Sequence, residues 1–264
     1  LDRPPEPLFD RYRALDITSQ AEVKSVFDAT RPQVVIHTAA MTNVDACELD
    51  PTACQLHNVT ATEHLVRAAK RHKSHFIFLS TDFIFDGKAG PYREEDEAHP
   101  LSRYGQCKLD GEALVRSSGL ARWAIARTII VYGVAPGLSR GNVVLWAKSA
   151  LERGQPINVV LDQWRMPTLA EDLADGCIRI AKQGATGIYH LCGPDGMSIL
   201  ELVQQVARFF DLDPSLIRPV TSLSLAQPAN RPPRTGFVLD KAKRELGYAP
   251  RSFEAGLEVL RSQL

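Results

Sequence analysis

Apolar positions along this chain recur with two periods, and the two alternate. Gln33-Val34-Val35-Ile36-His37-Thr38 is rich in β-branched residues and predicts a strand, and the small residues Ala39-Ala40 after it leave backbone open to a ligand. Asp50-Pro51 predicts a helix start, because aspartate caps free N–H groups and proline is tolerated in the first turn; that helix runs to about Lys73. A second apolar run, His75-Phe76-Ile77-Phe78-Leu79, predicts the next strand. A loop follows, then a helix from about Leu101 to Ser117 and a strand over Trp123-Ala124-Ile125-Ala126-Arg127. Strands that alternate with helices predict an α/β fold with a parallel, doubly wound sheet.

Past Val131-Tyr132-Gly133 the rhythm changes. A glycine- and proline-bearing loop to Gly141, a helix to about Arg153 and a short strand Ile157 to Val160 read as an excursion from the sheet. A helix from Leu169 to Lys182 and a strand from Gly187 to Leu191 return to it. Ser198 to Phe210 and the proline-rich stretch 228–233 then predict a second, smaller lobe. A chain of 264 residues is long enough for one large core with such a lobe, and ligands commonly sit between lobes. There is no internal repeat, low-complexity segment or long charge block.

Lys and Arg number 31 against 31 Asp and Glu, for a net charge of +0, so there is no bulk basic field to hold nucleic acid or an anionic membrane. No apolar run approaches the length that spans a bilayer, and Leu1-Asp2-Arg3-Pro4-Pro5 lacks the apolar segment of a signal peptide. These features predict a soluble, cytoplasmic chain whose partner is a small molecule or another protein. The five Cys, at 47, 54, 107, 177 and 192, are odd in number and scattered, and predict reduced thiols. Cys107 is expected to point away from the Tyr104 face of its helix. Histidine and carboxylate spacing commits no residue to a metal.

The chemistry gathers downstream of the second strand. Tyr104 and Lys108 stand four apart in a predicted helix and so share a face, which sets a phenol able to give up a proton beside an ammonium that stabilises the phenolate. Ser80-Thr81-Asp82 closes the strand upstream, and a threonine hydroxyl there can hold a substrate oxygen. Ligands of open parallel sheets bind beyond the carboxyl ends of the strands, where both groups fall.

Three blocks extend this pattern: Ser80-Thr81-Asp82-Phe83-Ile84-Phe85-Asp86-Gly87, Pro91-Tyr92-Arg93-Glu94-Glu95-Asp96, and the run from Pro100 through Tyr104-Gly105-Gln106-Cys107-Lys108 to Glu112. With Asp162-Gln163, Pro167-Thr168 and Arg231-Pro232, they resemble the extended short-chain dehydrogenase/reductases and, among them, the dTDP-4-dehydrorhamnose reductase family. The resemblance implies a Rossmann-like dinucleotide-binding domain over 1–134 and 162–191 and a substrate lobe over 135–161 and 192–264. It implies an NADPH- or NADH-dependent reductase of a nucleotide-linked 4-keto-6-deoxysugar, and leaves a homodimer open. Tyr104 would be the proton donor, Lys108 would bond the nicotinamide ribose and Thr81 would donate to the ketone oxygen. Asp82 and Phe83 would border the sugar, and Asn142, Trp164 and Arg231 would hold the nucleotide-sugar. Asp16 and Ile17 would meet the adenine, Ala39, Ala40 and Thr42 would form the cofactor wall, and Asn58 would join it from the following helix. On residue type alone, Asp16 also reads as a turn or cap for a helix at Ala21, and Asn58 as a polar position on a helix face.

The family's glycine-rich turn is not found, and the sequence opens where the family's second strand has just ended, so the chain is expected to be part of a longer protein. Phe83 stands where the family often has tyrosine, and Trp164-Arg165-Met166 replaces small residues. Arg165 reads equally as a diphosphate ligand or a salt bridge between lobes. Arg3 reads either as a 2′-phosphate ligand or as a solvated loop residue. The beta subunit of methionine adenosyltransferase carries similar runs, so a cofactor-binding regulatory subunit is one alternative. A nucleotide-sugar epimerase or dehydratase is another, although Phe83 offers no acid for elimination.

Overall fold

The structure, a computed structural model, describes residues 12–135 and 141–264. Arg3 and part of the loop ending at Gly141 lie outside them. The first element among the described residues is helix α1 (Gln20–Thr30), whose N-terminus Ser19 caps by accepting from the Glu22 N–H, followed by strand β1 (Val34–His37). Two short helices, α2 (Val44–Leu49) and α3 (Pro51–Gln55), lead through a π-helical turn, Leu56–Thr60, into α4 (Ala61–His72). Asp50 caps α3 from ahead of Pro51, as its residue type predicts, but the expected single helix to Lys73 is broken by the π turn.

Next come β2 (His75–Thr81), α5 (Arg103–Ser117), β3 (Trp123–Thr128) and the two-residue β4 (Val131–Tyr132). Helix α6 (Val143–Glu152), strands β5 (Ile157–Val160), β6 (Trp164–Arg165) and β7 (Thr168–Leu169), and helix α7 (Ala170–Gln183) follow. The chain closes with β8 (Gly187–His190), β9 (Met197–Ser198), α8 (Ile199–Phe209), β10 (Ile217–Val220), α9 (Asp240–Leu246) and α10 (Phe253–Gln263).

The main sheet runs β1-β2-β3-β8 and every pairing is parallel. Side chains alternate across it, as the strand period of two requires. Phe76, Phe78 and Ile125 pack with α1, α4 and α5 on one face, while Ile77, Ala124 and Ala126 pack with α7 and α9 on the other. Helices therefore cover both faces, as expected; the reversal of strand order that marks a switch point is not among the described strands. A second core joins α6, α8 and α10 to the parallel pair β5 and β10. The packing crosses the expected bounds: Tyr132 and Leu169, expected in the first domain, join the second core, while Ala242, Leu246 and Tyr248, expected in the second lobe, pack against α7 and β8. Their apolar faces close the outer side of the last strand.

Candidate active site

The carboxyl ends of β1, β2 and β3 open on a cleft of about 490 Å3. Thr38, Ala40 and Thr42 follow β1; Ser80 and Thr81 end β2 and Asp82 and Phe83 follow it; Thr128 ends β3, with Ile130 and the β4 residue Val131 after it. Tyr104 and Lys108 enter from α5, and Gln163, Arg165, Ile199 and Arg231 close the far side.

Helix α5 is positioned by its first turn. Ser102 caps it by accepting from the Gly105 N–H at 3.2 Å, and Gly105 lies so close to the Phe83 carbonyl that a Cβ would stand 2.2 Å from that oxygen. Only glycine permits this approach, which brings the tyrosine beside it down onto the end of β2. Tyr104 is buried, its ring packed edge-on against Phe83 at 5.8 Å. Burial raises its phenol well above the usual 10, and a hydrogen bond with Thr81 pulls the other way. One turn on, buried Lys108 donates from Nζ to the Leu79 carbonyl at 2.6 Å and lies 4.1 Å from the centre of the Phe78 ring. Burial lowers its ammonium to about 8, against an opposing pull from the Glu112 carboxylate.

Asp82 is spent inside the protein. Thr235 donates to its Oδ2, Thr81 Oγ1 donates to its Oδ1 at 3.2 Å, and Arg165 Nε stands 3.6 Å from Oδ2. Burial raises the Asp82 carboxyl, while the Arg165 charge opposes that rise. Arg165 is thus both an ion-pair partner and part of the cleft wall, its guanidinium 5.7 Å from the Phe83 ring centre. Arg231 makes two bonds to Asp45, at 3.0 and 2.7 Å, tying the 228–233 stretch to α2 at the cleft mouth.

Thr81, Asp82, Phe83, Tyr104, Lys108, Ala40, Thr42 and Arg231 meet in this cleft; the other sequence-selected residues do not. Ile17 and Ala39 line an adjoining apolar groove along β1. Asp16 accepts from the Thr18 N–H and hydroxyl, the turn its residue type allows. Asn58 uses its amide on the backbone of Met41, accepting from the N–H at 2.8 Å and donating to the carbonyl at 3.0 Å. It therefore holds the loop that follows β1. Asn142 caps α6, accepting from the N–H groups of Val144 and Leu145. Trp164 is half-exposed beside Pro91 and Met166, outside the cleft. Neighbours in a strand face opposite ways, so the alternation that turns Arg165 inward turns Trp164 out; that period was the signal for choosing Arg165. Thr235 had no such signal, since it reaches Asp82 across 153 residues of chain.

The cysteines are corrected too. Cys47, Cys54 and Cys107 are scattered in sequence but form one buried cluster with Tyr104. Cys107 does not point away from Tyr104: residues three apart share a helix face, and its Sγ donates to Gln55 Oε1 at 3.7 Å. All five thiols are free and buried. No group of three or more metal-ligating side chains and no helix long and apolar enough to cross a membrane occurs among the described residues.

The profile described as the RmlD substrate binding domain matches residues 7–264. The chain belongs to that family. It is 35% identical over 277 residues to dTDP-4-dehydrorhamnose reductase of Streptomyces griseus, covering 99% of this chain and 86% of the relative. It is also 32% identical over 255 residues to methionine adenosyltransferase 2 subunit beta of Xenopus laevis, covering 94% and 75%. Among solved structures, dTDP-4-dehydrorhamnose reductase of Bacillus anthracis in complex with NADP superposes with a TM-score of 0.88 at 26% identity, covering 95% of this chain and 87% of that one. These matches agree with the α/β parallel-sheet fold and the family that the motif blocks imply.

Proposed function

We propose that this chain is an NADPH-dependent reductase of a nucleotide-linked 4-keto-6-deoxysugar. The observation that carries the reading is the stacking of Tyr104 and Lys108 on one buried face of α5, lining the same cleft as Thr81 where β2 opens into it. The wall fits the nicotinamide and ribose end of a dinucleotide: the Ser80 hydroxyl is buried in it without a partner, and Lys108 presents its ammonium from the same side. Bound NADPH would supply the hydride to the ketone carbon. Thr81 would donate to the ketone oxygen as negative charge builds there. Tyr104 would pass its proton to that oxygen, and the Lys108 charge would offset the phenolate left behind. A buried phenol holds its proton until such an acceptor forms, so the raised Tyr104 pKa suits a donor. Arg231 and Gln163, at the mouth, would meet the nucleotide part of the substrate.

A second reading, a cofactor-binding regulatory subunit like the methionine adenosyltransferase relative, draws support from Arg165, whose guanidinium occupies wall space that a deoxysugar would use. One assay separates the two. NADPH oxidation with dTDP-4-dehydrorhamnose should proceed in the wild type and fall by about 100-fold or more in Tyr104→Phe. Nucleotide binding without turnover in either protein would overturn the reductase reading.

A further inference from the structure

Tyr104 and Lys108 are two members of a three-residue ladder. Glu112 follows one turn further along α5, on the same face, and its side chain is wholly buried. Its carboxylate is gripped from β3: Arg127 Nε donates to Oε1 at 2.9 Å and Nη2 to Oε2 at 2.8 Å. Arg127 is itself held, with Nη1 donating to the Glu94 carbonyl at 3.1 Å and the His190 ring behind it at 3.5 Å. Such a pair contributes little to stability, because desolvating both ions offsets their attraction. Its position explains it better. Lys108 sits in the same dry interior with the Leu79 carbonyl and the Phe78 ring, neither of which carries a full negative charge.

We propose that Glu112, clamped by Arg127, is a positioning residue that keeps Lys108 a charged donor in the cleft wall. The inference rests on the reductase reading for the use of that charge, but not for its existence. The charged and titratable groups around Lys108 are few. Tyr104 and Glu112 share its helix, His37 faces it from β1 and Cys54 from α3. Asp82 lies at the end of β2 and is already paired with Arg165, while Arg127, Glu94 and His190 lie behind Glu112. Burial holds His37 neutral, and the pull that favours the charged Lys108 comes first from Glu112 and then from Cys54. Arg127 fixes the carboxylate from β3, and Lys108 lies one turn away from it on the same buried helix face.

The test is an NMR titration of full-length protein carrying 13Cε-lysine, with the Lys108 signal identified by its loss in Lys108→Arg. In Glu112→Gln the anion is gone and the Arg127 cation remains, so the Lys108 midpoint should fall by about one pH unit or more. That variant leaves Arg127 buried without its partner, so the double variant Glu112→Gln/Arg127→Met is titrated beside it. Its midpoint should also fall, by less. The alkaline limb of NADPH oxidation should move with the midpoint, which a merely structural role would not produce. An unmoved midpoint in either folded variant overturns the inference, whatever the activity. A lowered midpoint in a wild-type background that shows no turnover supports it and overturns the reductase reading instead.

Discussion

Arg165 and Asp82 face each other at the cleft with Nε 3.6 Å from Oδ2, and their side chains are only 4% and 2% exposed. Carried by β6 and by the end of β2, they join segments far apart in the chain, and Thr235 completes the arrangement by donating to the same carboxylate oxygen. The pair fixes the residue next to Thr81, so it bears on the site's geometry as well as on stability.

Removing one member should be worse than removing both. Arg165→Met leaves Asp82 buried without a cation and should cost about 3–5 kcal/mol in urea unfolding, because the carboxylate loses its compensation. Asp82→Asn/Arg165→Met should regain most of that loss. Additive losses in the two single variants would show that the ion pair does not hold this region.

The Gly105 contact makes a sharper geometric prediction. Gly105→Ala would put its Cβ 2.2 Å from the Phe83 oxygen and 3.0 Å from the carbonyl carbon, both of them backbone atoms that cannot rotate away. Helix α5 must retreat, carrying Tyr104 with it. The expected result is a loss of about 1–3 kcal/mol on thermal unfolding and a fall of tenfold or more in NADPH oxidation, roughly the effect of misplacing a reacting group by an ångström.

The two ion pairs at the cleft should respond differently to salt. Arg231 and Asp45 keep 16% and 30% of their side chains exposed, against almost none for Arg165 and Asp82. A double-mutant cycle with Asp45→Asn and Arg231→Met should give a coupling of about 1 kcal/mol at low ionic strength that fades at about 1 M salt. The same cycle on Asp82 and Arg165 should keep its coupling. Equal salt sensitivity would contradict the burial difference.

The sheet was legible because its signals are local: β-branched runs, a period of two, and the Asp50-Pro51 start that caps α3. So was the Tyr104 and Lys108 pair, since spacing along one helix is a property of one segment. The two-residue strands β4, β6, β7 and β9 were not legible, because segments that short exist only through their partners. The same holds for Asn58 and Asn142. Their residue types suit a ligand or a backbone group equally, and only the fold decides that each is bonded to backbone. Cys107 was misplaced for a different reason. Residues three apart on a helix share a face, and that relation sets Cys107 on the Tyr104 face.

His37 gives a pH prediction whose sign follows from its surroundings. The ring ends β1, bonded through Nε2 to Thr62 Oγ1 at 3.1 Å and packed near Phe76 and Phe78. Burial, aided by the Lys108 charge, lowers it from 6.5 to about 3. The unfolded chain therefore binds a proton at this site that the folded chain refuses. The associated stability is complete above about pH 6.5 and is lost progressively as the pH falls toward 3. Within that window the unfolding free energy should drop by roughly 1 kcal/mol per pH unit on account of this residue. His190 and His75, also lowered by burial, add to the same acid limb, so the slope should lessen without vanishing in His37→Leu. Thr62 keeps a partner in that variant, because its hydroxyl donates to the Asn58 carbonyl at 2.7 Å. Urea unfolding of both proteins across this window measures the difference in slope. Parallel curves would mean that His37 takes up its proton in the folded state without penalty, and that the interior beside Lys108 is wetter than the packing implies.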